Sequence, residues 1–226
     1  MINILLTGSE GFIGKNLKKY LKKNYNIFEL DLNSTPPVDA TDEEQVKQFI
    51  KGKNINIILN CVGIPDAVPL KAESILDIDT NYFKKMIDIN LNSIFIICKE
   101  AYRECKSSLT HIINISSLYS IVSPRLDLYN GKIKNPAYTA SKHGLIGLTK
   151  HLAVLFGKDD ITVNCIAPAA VVDTISDNDF LEKYNKQVPL GRGVTIKDIY
   201  KSVIYLVDNQ NITGQNLIID GGYTCL

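Results

Sequence analysis

The chain has 226 residues, of which 45% are hydrophobic and 22% are charged. This composition is typical of a globular chain that can bury a core, and it excludes a disordered or fibrous protein. The 25 Lys and Arg residues against 24 Asp and Glu give a net charge of +1, which leaves no electrostatic argument for a nucleic-acid or membrane partner.

The N-terminal sequence MINILLTGSEG enters a short apolar strand directly, without the cationic region and cleavage site of a secretory signal. No apolar run approaches the roughly 20 residues of a membrane span. The five cysteines are odd in number, scattered, and without metal-ligand spacing. We therefore expect a cytoplasmic protein with buried free thiols and no metal site.

Short runs rich in Ile, Val and Leu alternate along the chain with longer amphipathic stretches, which is typical of parallel strands covered by helices. The predicted strands are 2–6, 27–32, 55–61, 111–116, 161–167 and 216–220, and the predicted helices are 11–23, 42–51, 80–105, 136–157 and 195–208. Thr41 with Glu44, and Thr195 with Asp198, predict capping boxes at two helix starts. The alternation predicts one α/β domain over residues 1–226, with a doubly wound, mostly parallel sheet of about seven strands and helices on both faces. The segment NSTPP after the second strand leaves no room for a helix there.

The first predicted strand leads into Gly8, Gly11 and Gly14 and then into a helix. Glycines let the backbone turn sharply and approach a pyrophosphate, and a helix N-terminus favours the anion. Asp31 ends the second strand, where its carboxylate can accept from a ribose 2′-hydroxyl and would repel a 2′-phosphate. Glu10 adds to this repulsion, so the pattern predicts a Rossmann-type site that prefers NAD(H) to NADP(H). The alternative for Asp31 is a strand-end carboxylate that caps a turn.

Tyr138 and Lys142 lie four positions apart in NPAYTASKHG, residues 135–144, and therefore share one face of a predicted helix. A neighbouring cation favours the phenolate form of a phenol. Taken alone, the pattern is better explained by a solvated pair at a helix surface. The long polar loop that precedes it is of a kind that is often functional in compact domains.

With TGSEGFIG, NCVG, INLNSIF, INISS and YTASK in this order, the chain resembles the short-chain dehydrogenase/reductase family, and VNCIAPAAV, VPLGR and ITGQNLIIDGG extend the resemblance over about residues 2–223. The resemblance implies an oxidoreductase that interconverts a secondary alcohol and a ketone. It implies that Tyr138 is the acid/base and that Lys142 binds the nicotinamide ribose and lowers the tyrosine pKa. It also implies that Ser117 holds the substrate oxygen and that Asn90 positions a water. The alternatives are that Asn90 only stabilises a helix kink and that Ser116 takes the place of Ser117.

The resemblance also implies a set of residues around NAD(H), from the phosphate turn to the nicotinamide. They are Gly8, Glu10, Gly11, Phe12, Ile13, Gly14, Asp31, Asp39, Ala40, Asn60, Cys61, Val62, Gly63, Tyr138, Lys142, Pro168 and Val171.

Several positions depart from the family pattern. The second glycine of the compact branch would fall at Phe12, and a glycine at Gly11 is the spacing of the longer sugar-nucleotide epimerase and dehydratase branch. The compact branch is expected, because the chain ends soon after the IDGG strand. NCVG replaces the usual asparagine pair and alanine, Ala169 replaces a usual glycine, and Asp173 replaces a common threonine. These departures put contacts around the adenosine and the nicotinamide in doubt.

The loop 118–136 resembles that of family members from bacterial surface-sugar pathways, which act around flagellin glycans and nonulosonic acids. This implies a sugar derivative as substrate, with Tyr119, Arg125 and Tyr129 as contacts. The alternative is a polar loop or a subunit contact. The family also implies a homodimer or homotetramer built by the helices at 80–105 and 136–157.

Two other functions stay open at this point. The departures from the pattern suggest a non-catalytic protein that binds NAD(H) in a regulatory or structural role. The glycine spacing suggests, more weakly, a sugar epimerase.

Overall fold

A computed structural model describes residues 1–65, 74–130, 133–175 and 177–226 of the chain. In these ranges six strands form one parallel sheet in the order β2-β1-β3-β4-β5-β6. The strands are β1 (Ile2–Thr7), β2 (Tyr25–Leu30), β3 (Ile57–Asn60), β4 (His111–Ile115), β5 (Thr162–Pro168) and β6 (Asn216–Ile219). The predicted Rossmann-type fold is confirmed, although the sheet has six strands rather than about seven. The short NSTPP connection adds no strand beyond β2, which therefore forms an edge of the sheet.

The helices follow the strands in the order that the sequence predicts. They are α1 (Phe12–Leu21), α2 (Glu43–Ile50), α3 (Thr80–Ile87), α4 (Ser93–Cys105), α5 (Pro136–Phe156), α6 (Asn178–Asn185) and α7 (Ile196–Val207). The predicted helix at 80–105 is divided into α3 and α4 by a π-helical turn over Asp88–Asn92, and the sequence analysis missed α6. Within the described ranges, no helix is both long enough and apolar enough to cross a membrane.

Helix capping agrees with the prediction at one of two positions. The capping box of Thr195 and Asp198 is present at the start of α7. At α2 the prediction is wrong, because Asp42 is the N-cap and accepts from the N–H groups of Glu44 and Gln45. A carboxylate at this position satisfies two N–H groups that the helix itself leaves unpaired.

Alternate residues of the strands enter two separate cores, one on each face of the sheet. Leu5, Ile58 and Ile112 pack with α2, α4 and α5 on one face. Leu6, Leu59 and Ile113 pack with α1 and α7 on the other. The apolar strand sequences are thus explained by burial on both sides.

A row of polar side chains crosses the sheet where the strands end. Thr7 Oγ1 donates to Asn60 Oδ1 at 3.1 Å, and Asn60 Nδ2 donates to Asn114 Oδ1 at 2.8 Å. Asn114 Nδ2 in turn donates to Thr149 Oγ1 of α5 at 2.9 Å. These side chains are buried, and an unmade hydrogen bond would be costly there. The row therefore helps to hold β1, β3 and β4 in register with α5.

The cysteines are free thiols, but they are not all buried as expected. Cys98, Cys105 and Cys165 lie in the core, whereas Cys61 is half-buried and Cys225 is exposed. Cys225 is exposed because it lies in the last turn of the chain, outside both cores.

Candidate active site

The N-terminus of α5 carries the predicted tyrosine and lysine. Asn135 caps the helix by accepting from the N–H of Ala137 at 2.9 Å. Tyr138 follows in the first turn and is half-buried, while Lys142, one turn later, is only 6% exposed. The lysine Nζ lies 5.7 Å from the centroid of the tyrosine ring and donates to the carbonyl of Ile115 at 3.0 Å. A solvated surface pair is therefore the wrong interpretation for Lys142.

Burial decides the charge state of this lysine. Removal from water lowers the pKa of Lys142 to about 8, because burial disfavours the ammonium form. At neutral pH the ammonium still predominates. Its positive charge next to Tyr138 favours a phenolate at that position.

The two serines after β4 are used differently. Ser116 is 3% exposed, and its Oγ donates to the carbonyl of Lys142 at 3.3 Å. Ser117 is half-buried, and its Oγ accepts from the N–H of Tyr119 at 3.2 Å. Ser117 therefore presents the more accessible hydroxyl, while the substrate role assigned to it stays a prediction.

Asn90 holds the chain that follows β3. Its Oδ1 accepts from the N–H of Ile64 at 2.7 Å, and its Nδ2 donates to the carbonyl of the same residue at 3.1 Å. A Cβ on Gly63 would lie 3.2 Å from that Oδ1, so a side chain at position 63 would crowd the Asn90 amide. The side chain lies in the π-helical turn, as the kink interpretation of Asn90 expects, and the role in a water relay stays a prediction.

The glycine turn after β1 leaves no space for a side chain at Gly8 or Gly14. Gly8 has φ +62°, and a Cβ there would lie 2.6 Å from the backbone of Cys61. A Cβ on Gly14 would lie 2.2 Å from the carbonyl oxygen of Gly8. Among the described residues no side chain caps α1, whose N-cap is Gly11. The first N–H groups of α1 are thus suited to bind the phosphates of a dinucleotide.

Asp31 joins the end of β2 to this turn. Its Oδ2 accepts from the N–H of Glu10 at 3.1 Å, and its Oδ1 accepts from the N–H of Asn33 at 2.8 Å. The carboxylate therefore caps a turn, as the alternative interpretation holds, and also lies beside the glycine turn, as the ribose interpretation requires. Glu10 is not an isolated charge, because Lys18 Nζ lies 2.7 Å from its Oε1.

The remaining predicted cofactor residues differ in exposure. Phe12 is 43% exposed at the start of α1. Asp39, Cys61, Val62 and Ile13 are half-buried, Gly11 and Gly63 are exposed, and Ala40, Asn60, Pro168 and Val171 are buried. The Asn60 side chain belongs to the polar row in the sheet, so the structure places it as a support of the site.

The departure at Asp173 has a local explanation. Its Oδ2 accepts from the N–H of Ile196, the first residue of α7, at 3.0 Å. Val172 N–H donates to the carbonyl of Val194 at 2.9 Å, which ties the same segment to the chain before α7. The carboxylate thus anchors the loop after β5 to the start of α7.

Of the three predicted substrate residues, Tyr119 lies against Tyr138, and Tyr129 is linked to it through Tyr119. The ring of Tyr119 meets the ring of Tyr138 edge-on, with centroids 6.4 Å apart. The Tyr119 hydroxyl is hydrogen-bonded to the Tyr129 hydroxyl, and the ring of Tyr129 lies 5.5 Å from that of Phe180 in α6. Arg125, in contrast, is exposed and pairs with Asp127 at 3.0 Å.

Helix α6, which was not predicted from the sequence, is joined to the loop before α5. Lys183 Nζ donates to Asn130 Oδ1 at 2.9 Å, and Gln187 Nε2 donates to Asp127 Oδ2 at 3.3 Å. These bonds connect α6 and Gln187, just beyond its end, to Asp127 and Asn130 of the loop 118–136. The N-cap Asp177, which accepts from the N–H of Phe180 at 3.0 Å, is a sequence signal that could have located the helix.

Comparison with known proteins agrees with this geometry. The family model of enoyl-(acyl carrier protein) reductase matches residues 13–224. The 3-oxoacyl-(acyl-carrier-protein) reductase FabG of Buchnera aphidicola subsp. Baizongia pistaciae is 30% identical over 214 residues, covering 92% of this chain and 81% of that protein.

Solved structures extend the likeness over the whole chain. A short-chain dehydrogenase from Leptospira borgpetersenii with bound NAD+ superposes with a TM-score of 0.86 at 27% identity, covering 99% of this chain and 92% of that one. A structure of ElxO with NADPH bound has a TM-score of 0.83 at 26% identity, covering 100% and 99% of the two chains.

Proposed function

The chain belongs to the short-chain dehydrogenase/reductase family, and we propose that it is an NAD-dependent oxidoreductase that interconverts a secondary alcohol and a ketone. The observation that carries the proposal is the buried Lys142 ammonium, 5.7 Å from the ring of the half-buried Tyr138. Burying a charge is costly. A role for that charge beside a phenol accounts for its presence there.

The residues present fit a dinucleotide. The glycine turn and the start of α1 would hold the pyrophosphate, Asp31 the adenosine ribose, and Lys142 the nicotinamide ribose. When bound, the nicotinamide supplies hydride transfer. NAD(H) is proposed over NADP(H) because the Asp31 carboxylate, next to the turn, disfavours a 2′-phosphate.

The protein's own side chains would transfer the proton and position the substrate oxygen. In the reductive direction the Tyr138 hydroxyl gives its proton to the carbonyl oxygen, and in the oxidative direction the phenolate takes a proton from the alcohol. The Lys142 charge favours that phenolate, and the Ser117 hydroxyl holds the oxygen in place. General acid–base catalysis of this kind contributes roughly 10²–10⁴-fold to a rate.

A sugar derivative is the proposed substrate. The ring of Tyr119 lies against that of Tyr138, and the Tyr119 hydroxyl is bonded to the Tyr129 hydroxyl. An aromatic surface that carries hydroxyl groups suits a substrate ring with hydroxyl groups. The second candidate is a 3-oxoacyl thioester. It is favoured by the 30% identity to a 3-oxoacyl-(acyl-carrier-protein) reductase.

The test is the absorbance of reduced nicotinamide, followed with both cofactor pairs against sugar phosphates, nucleotide sugars, simple secondary alcohols and a 3-oxoacyl thioester. NAD-dependent turnover of a sugar derivative would support the proposal in full, and turnover of the thioester alone would replace the substrate class. NADH binding without turnover of any of these compounds would contradict the proposed reaction and favour a regulatory role. Conversion of a sugar without net change of the cofactor would indicate an epimerase.

A further inference from the structure

A lysine lies between two carboxylates beside Asp31. Lys18 Nζ, on α1, is 2.7 Å from Glu10 Oε1 and 2.7 Å from Glu29 Oε2. Glu10 also pairs with Lys15 at 3.4 Å. The cluster is fixed to the glycine turn, because the N–H of Glu10 donates to Asp31 Oδ2 at 3.1 Å.

The lysine of this cluster is charged and its charge is compensated. Burial by itself would lower the pKa of Lys18, but the bonds to Glu10 and Glu29 outweigh burial and the pKa is raised. The same contact with Lys18 lowers the pKa of Glu10. The side chains of Lys18 and Glu10 are only 21% and 24% exposed, so the pair is less screened by water than an open surface pair.

The cluster forms part of the wall of a groove of about 1150 Å³ at the open edge of the sheet. Asn33 and Ser34, which follow Asp31, line the same groove. Because Asp31 Oδ2 accepts from the N–H of Glu10, a ribose held by Asp31 would lie beside this cluster. Lys18 lines this groove and is bonded to Glu10 of the glycine turn.

We propose that Glu10 and Glu29 make the site selective for NAD(H) by holding Lys18, a cation that would otherwise bind a 2′-phosphate. A free ammonium binds phosphate through charge-assisted hydrogen bonds. Here the ammonium must first give up two carboxylate partners. This inference rests on the proposed NAD site at Asp31, and it assigns Glu10 a role other than the direct repulsion that the sequence suggests.

The experiment measures binding rather than turnover. NADH and NADPH are titrated into the protein, and the fluorescence of the reduced nicotinamide gives each Kd. In the variant Glu10→Gln/Glu29→Gln we expect NADPH to bind about tenfold more tightly, the effect of one charged hydrogen bond. Adding Lys18→Met to this variant should abolish the gain.

Glu44→Gln is the matched control. Glu44 lines the same groove but pairs with Lys47 at 3.2 Å, so the substitution removes a carboxylate from the groove without releasing Lys18. The NADPH Kd should not change, whereas Glu29→Gln alone should tighten it in part.

Two results would overturn the inference. One is an unchanged NADPH Kd in Glu10→Gln/Glu29→Gln, and the other is a gain that survives Lys18→Met. A wild-type protein that binds NADPH more tightly than NADH would instead contradict the proposed NAD selectivity. The two Kd values of the wild-type protein decide that question without the variants.

Discussion

Lys142 keeps a positive charge in the interior, beneath Tyr138 and against the carbonyl of Ile115. Its pKa falls from an ordinary 10.5 to about 8 in the folded protein. Between these two values the unfolded chain binds more protons than the folded chain. The free energy of unfolding contributed by this group therefore rises as the pH increases from about 8 to about 10.5, and below 8 the full cost of burial is present.

The first prediction concerns this pH dependence in the cofactor-free protein. Wild type should gain of the order of 3 kcal/mol of stability from this group over the window, at about 1.4 kcal/mol for each pKa unit. Lys142→Met should lack this part of the rise. Urea unfolding at several pH values measures the difference between the two proteins, and parallel curves would contradict the assignment.

Single residues show where sequence reasoning works and where it stops. Tyr138 and Lys142 could be paired from their spacing, because a helix fixes which positions share a face. The partners of Lys18 and Asp173 could not be predicted from spacing, because Glu29 and Ile196 are joined to them through tertiary contacts. Chain spacing carries no information about such contacts.

At the scale of elements, the glycine turn and the start of α1 allow a sharp test. A Cβ on Gly14 would lie 2.2 Å from the Gly8 carbonyl oxygen, so Gly14→Ala must displace the turn from α1. We expect NADH to bind at least about tenfold more weakly and the melting temperature to fall, since overpacking costs about 1–3 kcal/mol. Titration with NADH and thermal unfolding measure both effects.

Gly157→Ala is the control for this substitution. Gly157 has φ −60° at the end of α5, and a Cβ there would meet nothing within 4 Å. The alanine should leave NADH binding unchanged and the stability equal or slightly higher. Equal behaviour of the two variants would refute the steric account of the turn.

The loop 118–136 and α6 meet at Tyr129, which contacts both Tyr119 and Phe180. Tyr129→Leu removes both contacts at the approach to Tyr138. We expect a higher KM for the alcohol or ketone and a smaller change in the Kd of NADH, because, among the described residues, Tyr129 is linked to Tyr138 through Tyr119 and not to the glycine turn or Asp31.

Tyr205→Leu serves as its control, since this exposed tyrosine lies on α7. Steady-state kinetics and NADH titration on both variants give the comparison. An unchanged KM in Tyr129→Leu would remove the loop from the proposed substrate site.

Two elements were misjudged from the sequence, for different physical reasons. The break between α3 and α4 lies at Asn90, whose side chain bonds to Ile64 in another part of the chain. Helix α6 is short and rich in polar residues, so its periodic signal is weak. Its contacts with the loop are again tertiary.

At the scale of the whole molecule, helices α4 and α5 keep apolar side chains in water. Val154 is 81% exposed, Leu155 46% and Phe95 43%. Exposed apolar surface of this kind is typical of interaction sites. It is consistent with the homodimer or homotetramer that the family resemblance implies.

We therefore expect Val154→Glu to lower the molar mass measured by sedimentation, because a carboxylate would be buried in the helix pairing. Leu76→Glu, at a side chain that is 89% exposed outside these helices, should leave the mass unchanged. A wild-type monomer, or an unchanged mass in Val154→Glu, would contradict the predicted pairing.

The parallel sheet covered by helices could be anticipated from the alternation of apolar runs and helical segments, and six strand segments were predicted from the sequence. The seventh strand came from the expected architecture and is wrong for this sheet, because NSTPP leads from β2 to the segment before α2. That connection leaves β2 at the edge of the sheet, where Glu29, Asn33 and Ser34 line the groove.

The most direct test of the account is the turnover of Tyr138→Phe on the alcohol or ketone that wild type converts, with the Kd of NADH measured in parallel. Loss of the hydroxyl removes the proposed proton donor and leaves the ring, so kcat should fall at least about 100-fold while NADH binding is retained. A kcat equal to that of wild type, with the same NADH binding, would contradict the role of Tyr138 as the acid/base.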